Sequence, residues 1–493
     1  LYTLDPANGV TYNVAIGDRA GKLMTTGTNN TLMGGLAGDR LTTGAYNVAI
    51  GTDALGNEDT GGTNVAIGYA ALKVQDGAGN SYNVAVGFDT GKAVSTGVQN
   101  TLIGGAAGDA LTKAGEAVTS GTQNTIMGGL AGDALTSGGE NVAIGYRALS
   151  AEDTTGKNVA IGNNALIVAN AGADAQNVAV GYDAGVSVTT GTLNTLIGGL
   201  AGDGLTTGDN NAAVGYNSLA AANAGSKNVA IGPNTLRSQN YTFTDATCDI
   251  SNDDATVTHD ANALIIAGAS VTGTGIPNGA TVASITNTTT FELSVVATAT
   301  GSNVTLTFSK SGVNYRNTAV GYDAGKAITT GVRNTTLGSS AGDAVTTGNN
   351  NILIGYNAAA SAVGVNNEIT LGDANINAFR CADQSIAALS DGRDKTDVKN
   401  SSYGLEFINT IRPVEFTWDF RPENMAEAKQ GKKRVGFIAQ ELQEAMPNSE
   451  NEILDLVYNV SDERIEAKYG NLIPILVKAV QELSEKVKAL ENK

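Results

Sequence analysis

The sequence predicts a mainly β protein: a trimeric parallel β-roll or β-solenoid shaft, one inserted all-β module, and a C-terminal α+β domain ending in a coiled-coil helix. Three observations predict it. A unit of Asn, an apolar-small-apolar triplet and Gly recurs seventeen times between Asn13 and Asn367. The recurrence is broken once, by a gap of 89 residues between Asn228 and Asn317. Composition then changes at Leu389–Ser390: 58 of the 63 glycines lie before it, and charged residues are 44 of 389 before and 34 of 104 after.

Each triplet (Val-Ala-Ile after Asn47, Thr-Leu-Ile after Asn194) alternates with period two, as a short strand does. The commonest spacing is 17 residues, with 19 from Asn64 to Asn83 and from Asn158 to Asn177, and 24 from Asn100 to Asn124. A fixed period of this length builds a solenoid, whose length counts coils rather than cores. Seventeen residues leave room for a second short strand and two turns, and the segments between triplets are rich in turn-forming Gly, Thr, Asn and Asp. The Asn is expected to ladder its amide up the stack, and the Gly to admit close turn packing. At about 4.8 Å per coil, the shaft would be a rod of roughly 80 Å. So thin a coil, with Ala at many inward positions, buries little apolar surface, and oligomerisation around a shared axis is the expected remedy. The repeat resembles the YadA-like head of trimeric autotransporter adhesins, which implies a left-handed, trimeric parallel β-roll. Its period here is longer.

The long gap equals a 19-residue spacing plus 70 residues, so a module at 240–312 is expected to leave the register on either side intact. It is Thr-rich, with strand patterns at Ala263–Ala267, Ala280–Ile285, Phe291–Ala297 and Val304–Phe308 and a turn at Gly273–Gly279. Projecting modules are where receptor contacts usually lie, and a structural collar is the alternative. The organisation is therefore shaft at 1–239 and 313–389, module at 240–312, and tail at 390–493.

Composition excludes several classes of function. A net charge of −18, with 29 acidic against 15 basic residues before Ser390, opposes nucleic-acid binding and docking on an anionic membrane. No apolar run is long enough to cross a bilayer as a helix, so no membrane insertion is expected. The chain begins at Leu1 rather than Met, and an upstream segment joining it to other proteins is expected. Cys248 and Cys381 lie in different segments, which excludes a disulfide framework, and with His259 as the single histidine no zinc site or His-dependent triad is expected.

Candidate chemistry on the shaft is repetitive. Asp39, Asp109, Asp133, Asp203 and Asp343 close Ala-Gly-Asp turns, and Asp89, Asp183 and Asp323 sit in Gly-aromatic-Asp turns. They approach a calcium-binding nonapeptide pattern without its period, and turn aspartates bonding their own backbone are the expected role. Glycoside hydrolysis needs one singular carboxylate pair. Only the module offers non-repeating candidates, Asp253, Asp254 and Glu292, and no motif frames them. No cofactor or metal is expected.

The tail reads as strands at Leu405–Ile411 and Val414–Trp418, then Val435–Ile438 leading into a helix through Gln440–Met446. A hairpin follows from Leu454–Val460 and Arg464–Ala467. Ile473, Leu476, Val480, Leu483, Val487 and Leu490 keep heptad a/d spacing, and Pro474 requires that helix to start near Asn471. A self-associating coil is expected, with packing on a local core as the alternative. Ser390-Asp391 with Lys395, GLEFINTIRPVEFTW from Gly404, GFIAQELQEAMP from Gly436 and YGNLIPILVKAVQEL from Tyr469 together resemble the peptidase S74 family, the C-terminal intramolecular chaperones of phage tail spikes and fibres. The resemblance implies a homotrimeric virion fibre or spike, made in the bacterial host cytoplasm, that binds a host-surface glycan or protein receptor. Its tail would template the shaft and then cut itself off at Leu389–Ser390, or one bond later. Ser390 would be nucleophile and Lys395 general base, a dyad that needs no histidine but requires the Lys395 amine to be held neutral by burial or a nearby positive charge. A bacterial trimeric adhesin and a capsule-degrading spike are the alternatives. The first expects a C-terminal membrane barrel where this sequence has a helix.

Overall fold

The computed structural model describes residues 11–77, 79–108, 121–151, 156–172, 174–221, 224–239, 242–262, 265–309, 315–376, 380, 391–419, 431–446, 451–461 and 464–492. They belong to two compact units, Leu1–Leu371 and Gly372–Lys493.

In the first unit, seventeen three-residue strands, from Val14–Ile16 to Ile369–Leu371, form one parallel sheet. Each triplet pairs in register with its equivalent one coil on, as Val48↔Val65, Ala49↔Ala66 and Ile50↔Ile67 do. The register continues across the long gap, with Val229↔Thr318 and Ile231↔Val320. The repeating Asn is buried beside every strand except the first and last: Asn13 is half-buried, and Glu368 takes the place before Ile369–Leu371. The Asn Oδ1 accepts from the backbone N–H of the next Asn, as Asn30 does from Asn47 at 2.9 Å, and its Nδ2 donates to a glycine carbonyl fourteen residues on, Gly44 at 2.9 Å. A buried main-chain donor and a buried carbonyl are thus satisfied by one side chain in most coils, although Asn64 Nδ2 is buried without a partner.

The second strand expected in each coil is not found among the described residues. That side is a run of turns with left-handed positions, such as Leu36 (φ 61), Gly38 (φ 53) and Leu55 (φ 53), and alternating left-handed residues cannot be pleated. The turns stack by main-chain bonds from coil to coil, Gly38 N–H to Ala54 O and Leu55 N–H to Ala71 O, both 3.0 Å.

Ten coils of the core follow a volume rule written over six residues. Where the triplet centre is large (Leu32, Leu102, Ile126, Leu196), the inward turn residue six positions on is glycine (Gly38, Gly108, Gly132, Gly202). Where the centre is alanine, that residue is leucine in six coils (Ala49 and Leu55, Ala66 and Leu72, Ala143 and Leu149, Ala160 and Leu166, Ala213 and Leu219, Ala230 and Leu236), both buried. In four others it is glycine (Ala15 and Gly21, Ala85 and Gly91, Ala179 and Gly185, Ala319 and Gly325), and a Cβ on Gly91 or Gly185 would meet leucines of the neighbouring coils. A Cβ on Gly38 would lie 3.0 Å from Leu32 Cδ2, so the pair shares one volume. The glycine closing each unit meets the next coil instead. At Gly321 (φ 136) a Cβ would lie 2.5 Å from Gly338 O.

The inserted module has six antiparallel strands, Thr242–Ile250, Thr256–Thr258, Ser270–Gly273, Val282–Asn287, Thr290–Leu293 and Gly301–Ser309. Ser270–Gly273 and Val282–Asn287 are the two end strands of this sheet, and Val271 N–H to Ala280 O (2.9 Å) and Val282 N–H to Ala269 O (2.8 Å) join them and close it around Val257, Phe291, Leu306 and Phe308. Ile265–Ala267, expected as strand, is not one; residues 263–264 lie outside the described residues. Thr242–Ile250 escaped the sequence reading because two register shifts interrupt its alternation and Asp245 occupies a buried position.

In the second unit, Leu405–Ile408 is a short helix, not the strand its β-branched flank suggested. The Glu482 carboxylate accepts from Leu405 N–H at 2.8 Å, and Phe407 packs with Leu472 and Ile475. Val414–Thr417 pairs with Lys433–Gly436, Ala439–Ala445 is helical, and Val457–Ser461 pairs with Arg464–Ala467. The last helix, Leu472–Glu491, follows Asn471, which leaves Pro474 in its first turn, where no helical N–H bond is lost.

Candidate active site

Leu389 and Ser390 lie outside the described residues, so the geometry of the proposed pair begins at Asp391. There the chain makes one tight turn, Gly392–Asp394, capped by the Asp391 carboxylate, which accepts from Arg393 N–H at 2.9 Å. The Arg393 guanidinium folds back on the same carboxylate, Nη2 to Oδ2 at 2.5 Å. That ion pair holds the Asp391 carboxyl below its usual range and commits Arg393 to Asp391 rather than to Lys395. Lys395 leaves the turn in extended conformation with its side chain exposed.

The blocks downstream converge on one core. Tyr469 Oη accepts from Phe437 N–H at 3.2 Å, with the two rings 5.4 Å apart, and Arg412 pairs with Glu441. A Cβ on Gly404 would lie 2.5 Å from Glu482 Oε2, so glycine is what lets that carboxylate cap the helix at Leu405. This bond holds the Glu482 carboxyl below its usual value. Sequence reasoning missed Glu482 because its partner is 77 residues away. The heptad stripe and the core-facing stripe of the last helix prove to be different faces. Leu472, Ile475 and Ala479 are buried locally, whereas Ile473, Leu476, Val480, Leu483, Val487 and Leu490 are 45 to 70 % exposed.

Most of the other candidates have structural partners, although Asp89 Oδ1, Asp133 Oδ1 and Asp203 Oδ1 are buried without a hydrogen bond. Asp89 and Asp323 pair with Lys92 and Lys326, and Lys326 also reaches Asp343. Asp183 accepts from Asn164 at 3.0 Å, and burial raises the carboxyls of Asp39, Asp133 and Asp203; Asp109 lies outside the described residues. In the module, Asp254 caps Thr256, Asp253 accepts from Asn252, and Glu292 accepts from Thr256. His259 is buried against Phe291, and burial pushes the Cys248 thiol up to about 12; Cys381 lies outside the described residues. One acidic group was not foreseen. Glu58, Asp59 and Asp76 have carboxylate oxygens within 4.8 Å of one another, because neighbouring coils bring Asp76 beside the other two. Glu58 is fully buried, accepts from Gly61 N–H at 2.6 Å, and is raised to about 7 chiefly by that burial.

Residues 390–449 match the family model of peptidase S74, described as the chaperone of endosialidase. No curated protein and no solved structure matches the chain.

Proposed function

We propose that this chain, a parallel β-solenoid with a peptidase S74 segment at residues 390–449, is a phage tail fibre or spike protein that assembles as a homotrimer and attaches the virion to its host. The observation that carries the reading is the S74 match beginning at the residue where the repeat composition ends. Two apolar surfaces support assembly. The outward residues of the strands form unbroken columns, Val14, Thr31, Val48, Val65 on one side and Ile16, Met33, Ile50, Ile67 on the other, and the heptad stripe of the last helix is uncovered in the single chain. Aligning three stripes would fix three shafts in one register, which near-identical coils cannot do alone.

Cleavage follows assembly in this reading. Ser390 Oγ attacks the Leu389 carbonyl carbon while Lys395 takes the hydroxyl proton. The C–N bond breaks as the proton passes to the Ser390 nitrogen, leaving an ester between Leu389 and Ser390 Oγ. Water then hydrolyses the ester to a Leu389 carboxylate and a free Ser390 side chain. Because Lys395 is exposed in one chain, packing between chains is what would shelter it, so the cut waits for the trimer. On a denaturing gel, wild type should yield the 104-residue fragment 390–493. Ser390→Ala and Lys395→Ala should stay full length yet trimerise. A Ser390→Ala chain cut like wild type would refute the dyad.

A further inference from the structure

The residue after each closing glycine forms a column along one corner of the coil. From the coil of Asn141 onward it alternates between aromatic and small or compact residues: Tyr146, Asn163, Tyr182, Gly199, Tyr216, Pro233, Tyr322, Ser339, Tyr356. The five tyrosines are 52 to 70 % exposed. Their alternation has a packing cause. A Cβ on Gly129 would sit 3.6 Å from the Tyr146 ring, and one on Gly199 3.7 Å from the Tyr216 ring, so these two rings lie over the glycine of the preceding coil. Where two aromatics do fall on successive coils, Tyr69 and Phe88, they stack at 5.1 Å. The in-register sheet carries the column across the inserted module, so the rings recur every two coils, about 9.6 Å, over a track of roughly 40 Å. Beside them run planar polar side chains at left-handed positions: Arg147, Asp183, Asn217, Asp323 and Asn357.

We infer that this tyrosine column is a binding track for an extended, uncharged β-linked polysaccharide. The inference rests on the reading of the shaft as an attachment fibre and names the ligand class it would hold. In a ribbon-like β-1,4-linked chain every second pyranose presents the same face, and two pyranoses span about two coils. Alternate sugars can therefore stack their apolar faces on successive rings while their hydroxyls meet the neighbouring amides, carboxylates and guanidinium. Charge selects a neutral glycan, because the shaft is acidic and Asp203 and Asp343 also flank the track. A second copy of the chain fits less well. Closing protein over the exposed Arg147 would strip water from its charge, and the strand columns already offer an uncharged face for association.

The test titrates the full chain calorimetrically with hexamers and dimers of β-1,4-linked glucose and of β-1,4-linked N-acetylglucosamine. At least one hexamer should bind about tenfold or more tighter than its dimer, because it spans several rings. Tyr182→Ala, Tyr216→Ala and Tyr322→Ala should each weaken it about two- to tenfold, and the three Tyr→Phe variants should bind like wild type. Absence of hexamer binding by wild type, or unchanged binding by the triple alanine variant, overturns the track. Loss of oligomeric state in the triple alanine variant, read by light scattering, assigns the column to contacts between copies and also overturns it. Fluorescently labelled protein on a panel of bacterial cells separates the two readings. Cell binding that the triple variant keeps leaves attachment standing without the track, and hexamer binding without adhesion to any cell leaves the track standing without attachment.

Discussion

In the shaft, Leu196 and Gly202, or Ala160 and Leu166, share one volume six residues apart, and each coil touches the next through the same few bonds. In the C-terminal unit, Phe407 meets Leu472 and Ile475, and Leu405 is capped by Glu482, across more than sixty residues. The shaft is a repeated local solution in which any coil could pair with almost any other. The tail is a single solution with one partner for each group. A chain that joins them has a register problem in the first part and, on the proposed reading, a register-setting device in the second. That contrast is the physical case for folding the shaft from its tail.

The largest expected effect tests the shaft's close stacking. Gly321→Ala places a Cβ against Gly338 O at a left-handed backbone and should cost about 3 kcal/mol or more, whereas Gly470→Ala in the tail, with nothing within reach of a Cβ, should change the melting free energy by less than about 0.5 kcal/mol. Equal effects would erase the distinction between the two regions. The volume rule comes next. Leu196→Ala should cost about 2–5 kcal/mol, and adding Gly202→Leu, which copies the Ala160 and Leu166 coil, should recover about half or more. A double variant no better than the single would show that the six-residue pairing is coincidental. Asn194→Ala should cost about 1–3 kcal/mol, because it strands Asn211 N–H and Gly208 O inside the stack, and hydrogen exchange should rise at Asn211 first.

The smallest effect is a pH dependence. The Glu58 carboxyl is raised from 4.5 to about 7 in the folded chain by burial, so between these values the folded state binds more protons than the unfolded. Its contribution is full below about 4.5 and is lost as pH rises through about 7. Denaturation midpoints should therefore fall across that window, and Glu58→Gln should flatten the fall. A Glu58→Gln protein with the wild-type slope would assign the dependence to other groups.

The strand triplets, their parallel register and the Asn ladder were legible because one pattern repeats seventeen times, and a repeated position can be read against itself. The turn side was not legible as turns. Leu36 and Leu55 take left-handed conformations that leucine disfavours alone, and the stacking that imposes them is invisible in a single coil. Leu405–Ile408 reads as strand by composition, and the partners that hold it as a helix, Glu482 at its cap and Leu472 and Ile475 against Phe407, are distant in sequence. Glu58 and Asp76 meet through the coil geometry rather than through sequence proximity. At the junction, Ser390 and Lys395 were singled out by position and family resemblance. The fold adds that Asp391 engages Arg393 and that Lys395 is exposed in one chain.

The central claim is that the tail sets the register of the shaft, and the heptad stripe is its most direct handle. Leu476→Asp with Leu483→Asp removes two exposed positions of that stripe while sparing Leu472, Ile475 and Ala479, which hold the local core. Light scattering of the purified full chain counts the copies in its shaft. The account predicts three for wild type and, for the double variant, uncut chains that are monomeric or aggregated. A double variant that still yields a trimeric, released shaft would contradict it.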